Sequence, residues 1–492
     1  MIFAYVEELI RKAWQAGLIE KRDQVYARNR LLALLKQNDF IKPEENVSAL
    51  TIPELVERLT EEAEAKGIVP PFLEDKEIFA ADLMNIFVSK PSQIAHSFWE
   101  RYSADPQQAT DFFYSLSEAS NYIQTKRIAK NISYKAATDY GELDITINLS
   151  KPEKDPAEIA RAKLRPEPET HYPKCLLCVE NEGYEGHASH PARANHRIVP
   201  VTLGSEEWFL QYSPYVYYNE HCILLSGEHR DMKIDRAGFD RLLDFVHQFP
   251  HYFSGSNADL PIVGGSILTH DHYQGGHYEF AMAKAKEEHV FSMKQFPSVQ
   301  GATLYWPMSV IRLKSGDRSE LAAAAEYVLS TWKAYDDEAC GIRSCTGDTP
   351  HNTITPIARK RGAFFELDLV LRNNRTTEEH PMGLFHPHAD IHHIKRENIG
   401  LIEVMGLAVL PARLKEDLAQ VAAFVAGGLE QVKSEHRDWA EELRSMYDSR
   451  VDAEEFVRQA VAAKFLRGLE DCGVFKQTKE GKDGFSRFLN RL

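Results

Sequence analysis

The hydrophobic rhythm of the chain changes twice, and this limits the fold more than any single motif does. Up to about residue 130 apolar residues recur every three or four positions, as in VEELIRKAWQAGLI and PELVERLTEEAEAKG, the spacing that lines one face of a helix. In ELDITINLSKPEKDP the rhythm becomes alternate, with Leu143, Ile145 and Ile147 in step ahead of a proline and charge cluster. Strand-like runs follow from about 170 to 410: EWFLQYSPYVYY, HCILLSG, IVGGSIL, TLYWPMSVIRL and FFELDLVLRN, with helical stretches near 231–248 and 318–338. After Pro411 the helical spacing returns in ARLKEDLAQVAAFVAGG and HRDWAEELRSMYDSR. This order predicts an α+β architecture: a mixed, largely antiparallel sheet core over 151–410, a helical N-terminal region over 1–150 and a helical C-terminal extension over 411–492.

With 492 residues, 43% hydrophobic and 27% charged, the chain has the composition of an ordinary globular protein able to bury a large core. Its net charge of −15 gives no diffuse basic field for a nucleic-acid backbone or an anionic membrane, so neither is an expected partner. A small anionic substrate would need a locally basic pocket. Glu7, Glu8, Arg11 and Lys12 interrupt the apolar residues at the start, and no stretch approaches the roughly 18 to 20 apolar residues that span a bilayer. The expected location is cytoplasmic. Six cysteines are too few for a disulfide scaffold in so long a chain.

The candidate chemistry sits in GGSILTHDHYQGG, Gly264 to Gly276. In an extended chain His270, His272 and Gln274 share a side. A neutral imidazole can attack phosphorus and later leave, and an amide can donate to a phosphoryl oxygen. The flanking glycines let backbone come close to a phosphate. Against this, 20 histidines make a chance His-x-His common, and a lone histidine is usually a satisfied core or surface group. Cys175 and Cys178 form the one close cysteine pair, at a spacing that suits a tetrahedral zinc, with His229 of SGEH and His270 as third and fourth ligands. A redox pair or a chance spacing fits the same two cysteines. If His270 holds a metal, His272 is left as the nucleophile.

CLLC, then SGEH, then a Gly-Gly-Ser run into HDHYQ follow one another as in galactose-1-phosphate uridylyltransferases of the histidine-triad superfamily, and the chain resembles that family. SPYVYYNEHCILLSGEHR, PHNTITPIARKR and FHPHADIHHIKRENIGLIEVMGLAVLPARL resemble its second type, found in Gram-positive bacteria. The resemblance implies a histidine-triad-like core of two related halves and a ping-pong exchange. UDP-glucose uridylylates His272, glucose 1-phosphate leaves, and galactose 1-phosphate takes the UMP. It implies Gln274, Gly264 and Ser266 as substrate-binding positions, Cys175, Cys178, His229 and His270 as ligands of a structural zinc, and a homodimer. Its small-molecule partners are UDP-hexoses and hexose 1-phosphates.

The first type carries His-Pro-His at its nucleophile, whereas this chain has His-Asp-His there and a separate His386-Pro-His388 followed by Ala389 and Asp390. No glutamine stands two positions after His388, so His272 remains the nucleophile. His386 and His388, with His351, match a second metal site of the first type, and Glu287 and Glu288 are candidates for its acidic ligand. A solvated turn accounts for the same histidines. Lys395 and Arg396 beside them are candidate donors to a sugar phosphate or a solvated charge pair. Two other functions stay open: another histidine-triad transferase, phosphorylase or hydrolase, and a non-catalytic interaction protein stabilised by zinc.

Overall fold

Packing of the first helices follows the sequence rhythm closely. In Ile2–Gln15 the buried residues include Val6, Leu9, Ile10 and Ala13, one stripe at helical spacing. Thr51 and Glu54 form a capping box at the start of Ile52–Ala65. The Asp105 carboxylate accepts from Gln107 N–H where Pro106 opens Pro106–Ala119. Leu55, Leu59, Leu83 and Phe87 close a separate core with the first helix. The computed structural model describes residues 1–150, 171–265 and 267–492.

A three-stranded sheet follows these helices. It contains β1 (Ile132–Thr138) and β2 (Gly141–Ile147), an antiparallel hairpin whose alternating apolar residues include Leu143, Ile145 and Ile147. The main sheet has ten strands among the described residues. Its first half contains β3 (Val199–Leu203), β4 (Glu206–Tyr212), β5 (Cys222–Ser226), β6 (Phe253–Gly255) and β7 (His272–Gly276). The second half contains β8 (Glu287–Ser292), β9 (Gln300–Leu304) and β10 (Val310–Ser315). After a hairpin of β11 (Cys345–Thr346) and β12 (Thr349–Pro350) come β13 (Asn352–Arg361) and β14 (Phe364–Asn373).

The spatial order is β3-β4-β5-β7-β6-β13-β14-β10-β9-β8. Read inward from either edge, three strands in sequence are followed by the last strand of the half and then the one before it. A helix, Arg236–Gln248 or Arg318–Lys333, lies between the third and fourth strands of each main-sheet half. The expected two related halves are therefore present, joined by antiparallel pairing of β6 with β13. All pairings in this sheet are antiparallel.

One face of the sheet presents Trp208, Leu210, Leu224, Tyr273, Leu367 and Leu369 to those two helices. Asp235 and Asp317 cap the helices by accepting from Gly238 and Glu320 N–H. The other face is covered by the small sheet and the C-terminal helices Leu414–Val425 and Ala453–Cys472. β15 (Leu407–Leu410) runs parallel to β2 and completes the small sheet.

One expected strand is absent. Among the described residues of IVGGSIL, Ile262 and Val263 lie in a turn and Gly264 makes a single bridge to Ala258. A Cβ on Gly264 would lie 2.5 Å from the Ala258 carbonyl oxygen and 2.6 Å from that of Leu260, so the backbone is wedged against carbonyls instead of pairing in a ladder. TLYWPMSVIRL is likewise two strands, β9 and β10, split over 305–309.

Candidate active site and metal centre

The β5–β7 register builds the site. Leu225 pairs with His272 and Ile223 with Gln274, so the residues just after β5 lie beside those just before β7. Ser226 N–H donates to the Asp271 carbonyl at 3.0 Å, and Asp271 N–H to the Arg230 carbonyl at 2.7 Å. His229 and His270 thereby meet at one end of the ladder. Cys175 and Cys178 come to the same place on a tight turn, where the Asn181 amide donates to both cysteine carbonyls at 2.8 Å.

The ligand atoms of Cys175, Cys178, His229 and His270 all lie within 4.8 Å of one another. Sγ–Sγ is 3.5 Å, Cys175 Sγ to His270 Nδ1 3.3 Å, Cys178 Sγ to His229 Nδ1 3.2 Å and Cys178 Sγ to His270 Nδ1 3.7 Å. The edges of a tetrahedron around a cation with zinc-like bond lengths are about 3.3 to 3.8 Å, so this donor set fits one. His270 Nε2–H donates to the Ser226 carbonyl at 3.0 Å, which fixes the ring and turns Nδ1 toward the sulfurs.

His272 and Gln274 share a face of β7, as the period-two rule requires. His272 is 8% exposed, and its Nδ1–H donates to the His270 carbonyl at 2.8 Å. Burial depresses its pKa to about 4, so the ring is neutral at pH 7 with Nε2 unprotonated. The amide oxygen of Gln274 lies 3.2 Å from Nε2 of the buried His221. Gly275 must be glycine for packing: a Cβ would come within 2.7 Å of the Phe253 carbonyl oxygen. Beside the Cys175 turn opens a cavity of about 400 Å³, lined in part by Leu176, Arg193, Asn195, Tyr215 and Tyr217. The Arg193 guanidinium lies over the Tyr122 ring at 5.5 Å and meets no carboxylate among the described residues.

Asp271, on the opposite side of the strand, carried no expectation from sequence. Its buried carboxylate lies 3.4 Å from Arg230 and 3.5 Å from Arg241, and Arg241 Nε–H donates to the Tyr273 hydroxyl at 2.8 Å. These contacts tie β7 to the Arg236–Gln248 helix. His221 was also missed, because its role depends on a partner strand that begins 51 residues later in the sequence.

Other expectations fare differently. Ser266 lies outside the described residues. Gly264 is buried beside Ala258 and Leu260 and owes its identity to that close approach. His351, His386 and His388 do not form a ligand cluster among the described residues. His351 bonds Asn374 and Thr346, His386 bonds the Pro387 carbonyl and Asn398, and His388 bonds the Leu384 carbonyl. Glu288 bonds Lys482 instead. Lys395 is buried and donates to Glu403 at 3.0 Å. Asp417, Glu435 and His436 also converge, but Arg413 and Lys433 already neutralise the two carboxylates.

No helix among the described residues is long and apolar enough to cross a membrane. The family described as Galactose-1-phosphate uridyl transferase matches by its N-terminal domain over residues 17–231 and by its C-terminal domain over 245–441. A galactose-1-phosphate uridylyltransferase of Clostridium perfringens (strain SM101 / Type A) is 51% identical over 494 residues, covering 99% of each chain. Proteins of that name from Fusobacterium nucleatum and Bacillus subtilis are 48% and 49% identical, over 100% of this chain and 99% and 98% of theirs. The crystal structure of a yeast Ap4A phosphorylase covers 64% of this chain and 94% of its own at 13% identity, with a TM-score of 0.32, too slight to argue from. With two domain matches in register and half its residues shared end to end, the chain belongs to the galactose-1-phosphate uridyl transferase family.

Proposed function

We propose that this protein is a UDP-glucose–hexose-1-phosphate uridylyltransferase that carries UMP on His272. The observation that carries the assignment of the nucleophile is the position of that ring. It is buried, neutral and donates through Nδ1 to the His270 carbonyl, which leaves the Nε2 lone pair to attack.

In the first half-reaction Nε2 forms a bond to the α-phosphorus of UDP-glucose. The bond from that phosphorus to the bridging oxygen breaks, and glucose 1-phosphate leaves with the electron pair. In the second, a phosphate oxygen of galactose 1-phosphate attacks, the N–P bond breaks and the imidazole returns neutral. Nδ1–H stays in place throughout, and its bond to the His270 carbonyl stabilises the positive charge on the phosphorylated ring. Gln274, on the same face, donates to a nonbridging oxygen. The cavity beside Cys175 has room for a nucleoside, and Arg193 supplies positive charge in an otherwise acidic chain.

Cys175, Cys178, His229 and His270 would hold zinc, which when bound would supply a cross-link between the cysteine turn and the β5–β7 ends. His270 then serves twice, its ring as ligand and its carbonyl as the acceptor that orients His272. The catalytic core occupies 151–410 between the two helical regions, in a cytoplasmic homodimer; light scattering tests the dimer.

Intact mass after incubation with UDP-glucose alone tests the reaction. The expected result is one uridylyl adduct per chain, absent in His272→Gly and discharged by galactose 1-phosphate. A folded wild-type protein that gains no adduct would sink the assignment.

A further inference from the structure

A glutamine amide can present either its oxygen or its NH2 group to a ligand, and only the NH2 end attracts a phosphoryl oxygen. Gln274 therefore needs something to decide which end faces His272. Its neighbour is His221, which stands immediately before β5, where Cys222 pairs with Gly275 and Ile223 with Gln274. The imidazole is 4% exposed. The Tyr218 ring lies 4.5 Å from it and the Tyr217 ring 5.6 Å. Tyr218 is in turn pinned by its hydroxyl, which donates to the Gly275 carbonyl at 3.0 Å. The ring packs against both tyrosines, with Nε2 at 3.2 Å from Gln274 Oε1.

We propose that His221 is a positioning residue for the transfer: its Nε2–H donates to Gln274 Oε1 and so turns the amide NH2 toward the phosphoryl group on its way to His272. The inference rests on the uridylyl-transfer reading above. Burial keeps the ring neutral, so Nε2–H as donor leaves Nδ1 without a proton. The same pairing occurs in the same row on the far side of β5. Gln211 pairs with Ile223 across the β4–β5 ladder, and its Oε1 lies 2.9 Å from Nε2 of the buried His196. Buried imidazoles thus engage the oxygen of both glutamines in this row, but only Gln274 adjoins the nucleophile.

The test measures the rate of uridylyl-enzyme formation from UDP-glucose in a single turnover, together with steady-state transfer. The variants are His221→Phe, His221→Gln, Gln274→Ala and the His221→Phe/Gln274→Ala double. His221→Phe is expected to slow uridylylation about tenfold or more while the KM for UDP-glucose stays within about threefold. The double variant should be no slower than the slower single, because both remove one donor. His221→Gln, which keeps an N–H at that position, should recover most of the rate. Losses that multiply in the double variant, or an unchanged rate in His221→Phe, would overturn the proposal. Metal content and melting temperature verify the fold, and His221→Leu carries the same comparison should the phenyl variant not fold. Failure of wild type to form any adduct would instead reject the transfer reading itself, whatever the variants do.

Discussion

The two halves of the main sheet share one strand order but not one chemistry. Gln274, Gly255, Ile357 and Asp368 lie in a single row across the seam, so Asp368 on β14 stands where the first half has Gln274 on β7. Around Asp368 every charge is answered. Arg312 forks onto it at 2.7 and 2.9 Å, Arg359 reaches it at 2.7 Å, and Arg359 and Arg361 share Glu366. Although burial pushes the other way, the Arg359 and Arg312 guanidiniums hold the Asp368 carboxyl down to about 2. Around Gln274, on the matching face of the first half, the polar groups are the neutral imidazoles and amides of His221, Gln211 and His196, and His272 Nε2 keeps its lone pair for a ligand. A saturated ion network closes its face of the sheet, whereas an array of neutral groups leaves atoms over for chemistry.

The widest gap between the halves should appear on replacing the nucleophile. His272→Gly is expected to lower transfer by about 10⁴-fold or more with little change in Tm, measured by coupled assay and by calorimetry. Asp368→Asn should do the reverse. It leaves Arg312 and Arg359 underpaired in the interior, at a cost of about 3–5 kcal/mol in urea unfolding, while the chains still folded form the uridylyl adduct. Adduct loss in that variant without unfolding would erase the division of labour between the halves.

Cys175→Ser addresses the site from its other side. Metal per chain, read by elemental analysis, should fall well below one, and Tm should fall with it, while transfer at low temperature declines less than in His272→Gly. Abolished transfer with metal and fold intact would show that the cysteine site is more than a brace.

The smallest effect concerns pH. Burial brings His221 and His251 down to about 4, against about 6.5 in the unfolded chain. Between those values the unfolded state binds more protons. The stability these groups allow is thus complete above pH 6.5 and is lost as pH falls toward 4. Tm should decline over that window, and His251→Phe should flatten the decline if it still packs.

The sequence exposed the site where neighbours in space are also close in the chain or sit in a recognisable order. Cys175 and Cys178 share one turn, and His272 and Gln274 share one strand face. His221 and Asp271 stayed hidden because their partners come from ladder register and from the Arg236–Gln248 helix, which no local spacing encodes. The run at 262–264 misleads because apolar composition cannot distinguish a strand from a turn wedged against carbonyls. His386-Pro-His388 misleads for another reason: backbone carbonyls satisfy imidazoles as readily as metals do, and the sequence does not distinguish them. The helical rhythm at the start was legible because helices such as Ile2–Gln15 and Ile52–Ala65 bury a single stripe.

The parallel pairing of β15 with β2 bears on how the chain is made. Leu410 pairs with Ile147, and all ten strands of the main sheet are synthesised between them. During translation the N-terminal helices can assemble early around their own core, but the β1–β2 hairpin must wait on the ribosome with one edge unpaired until nearly the last helices emerge. The strand that completes it also packs in one core with the helices that follow it, so residues made after the main sheet seal a hairpin made before it.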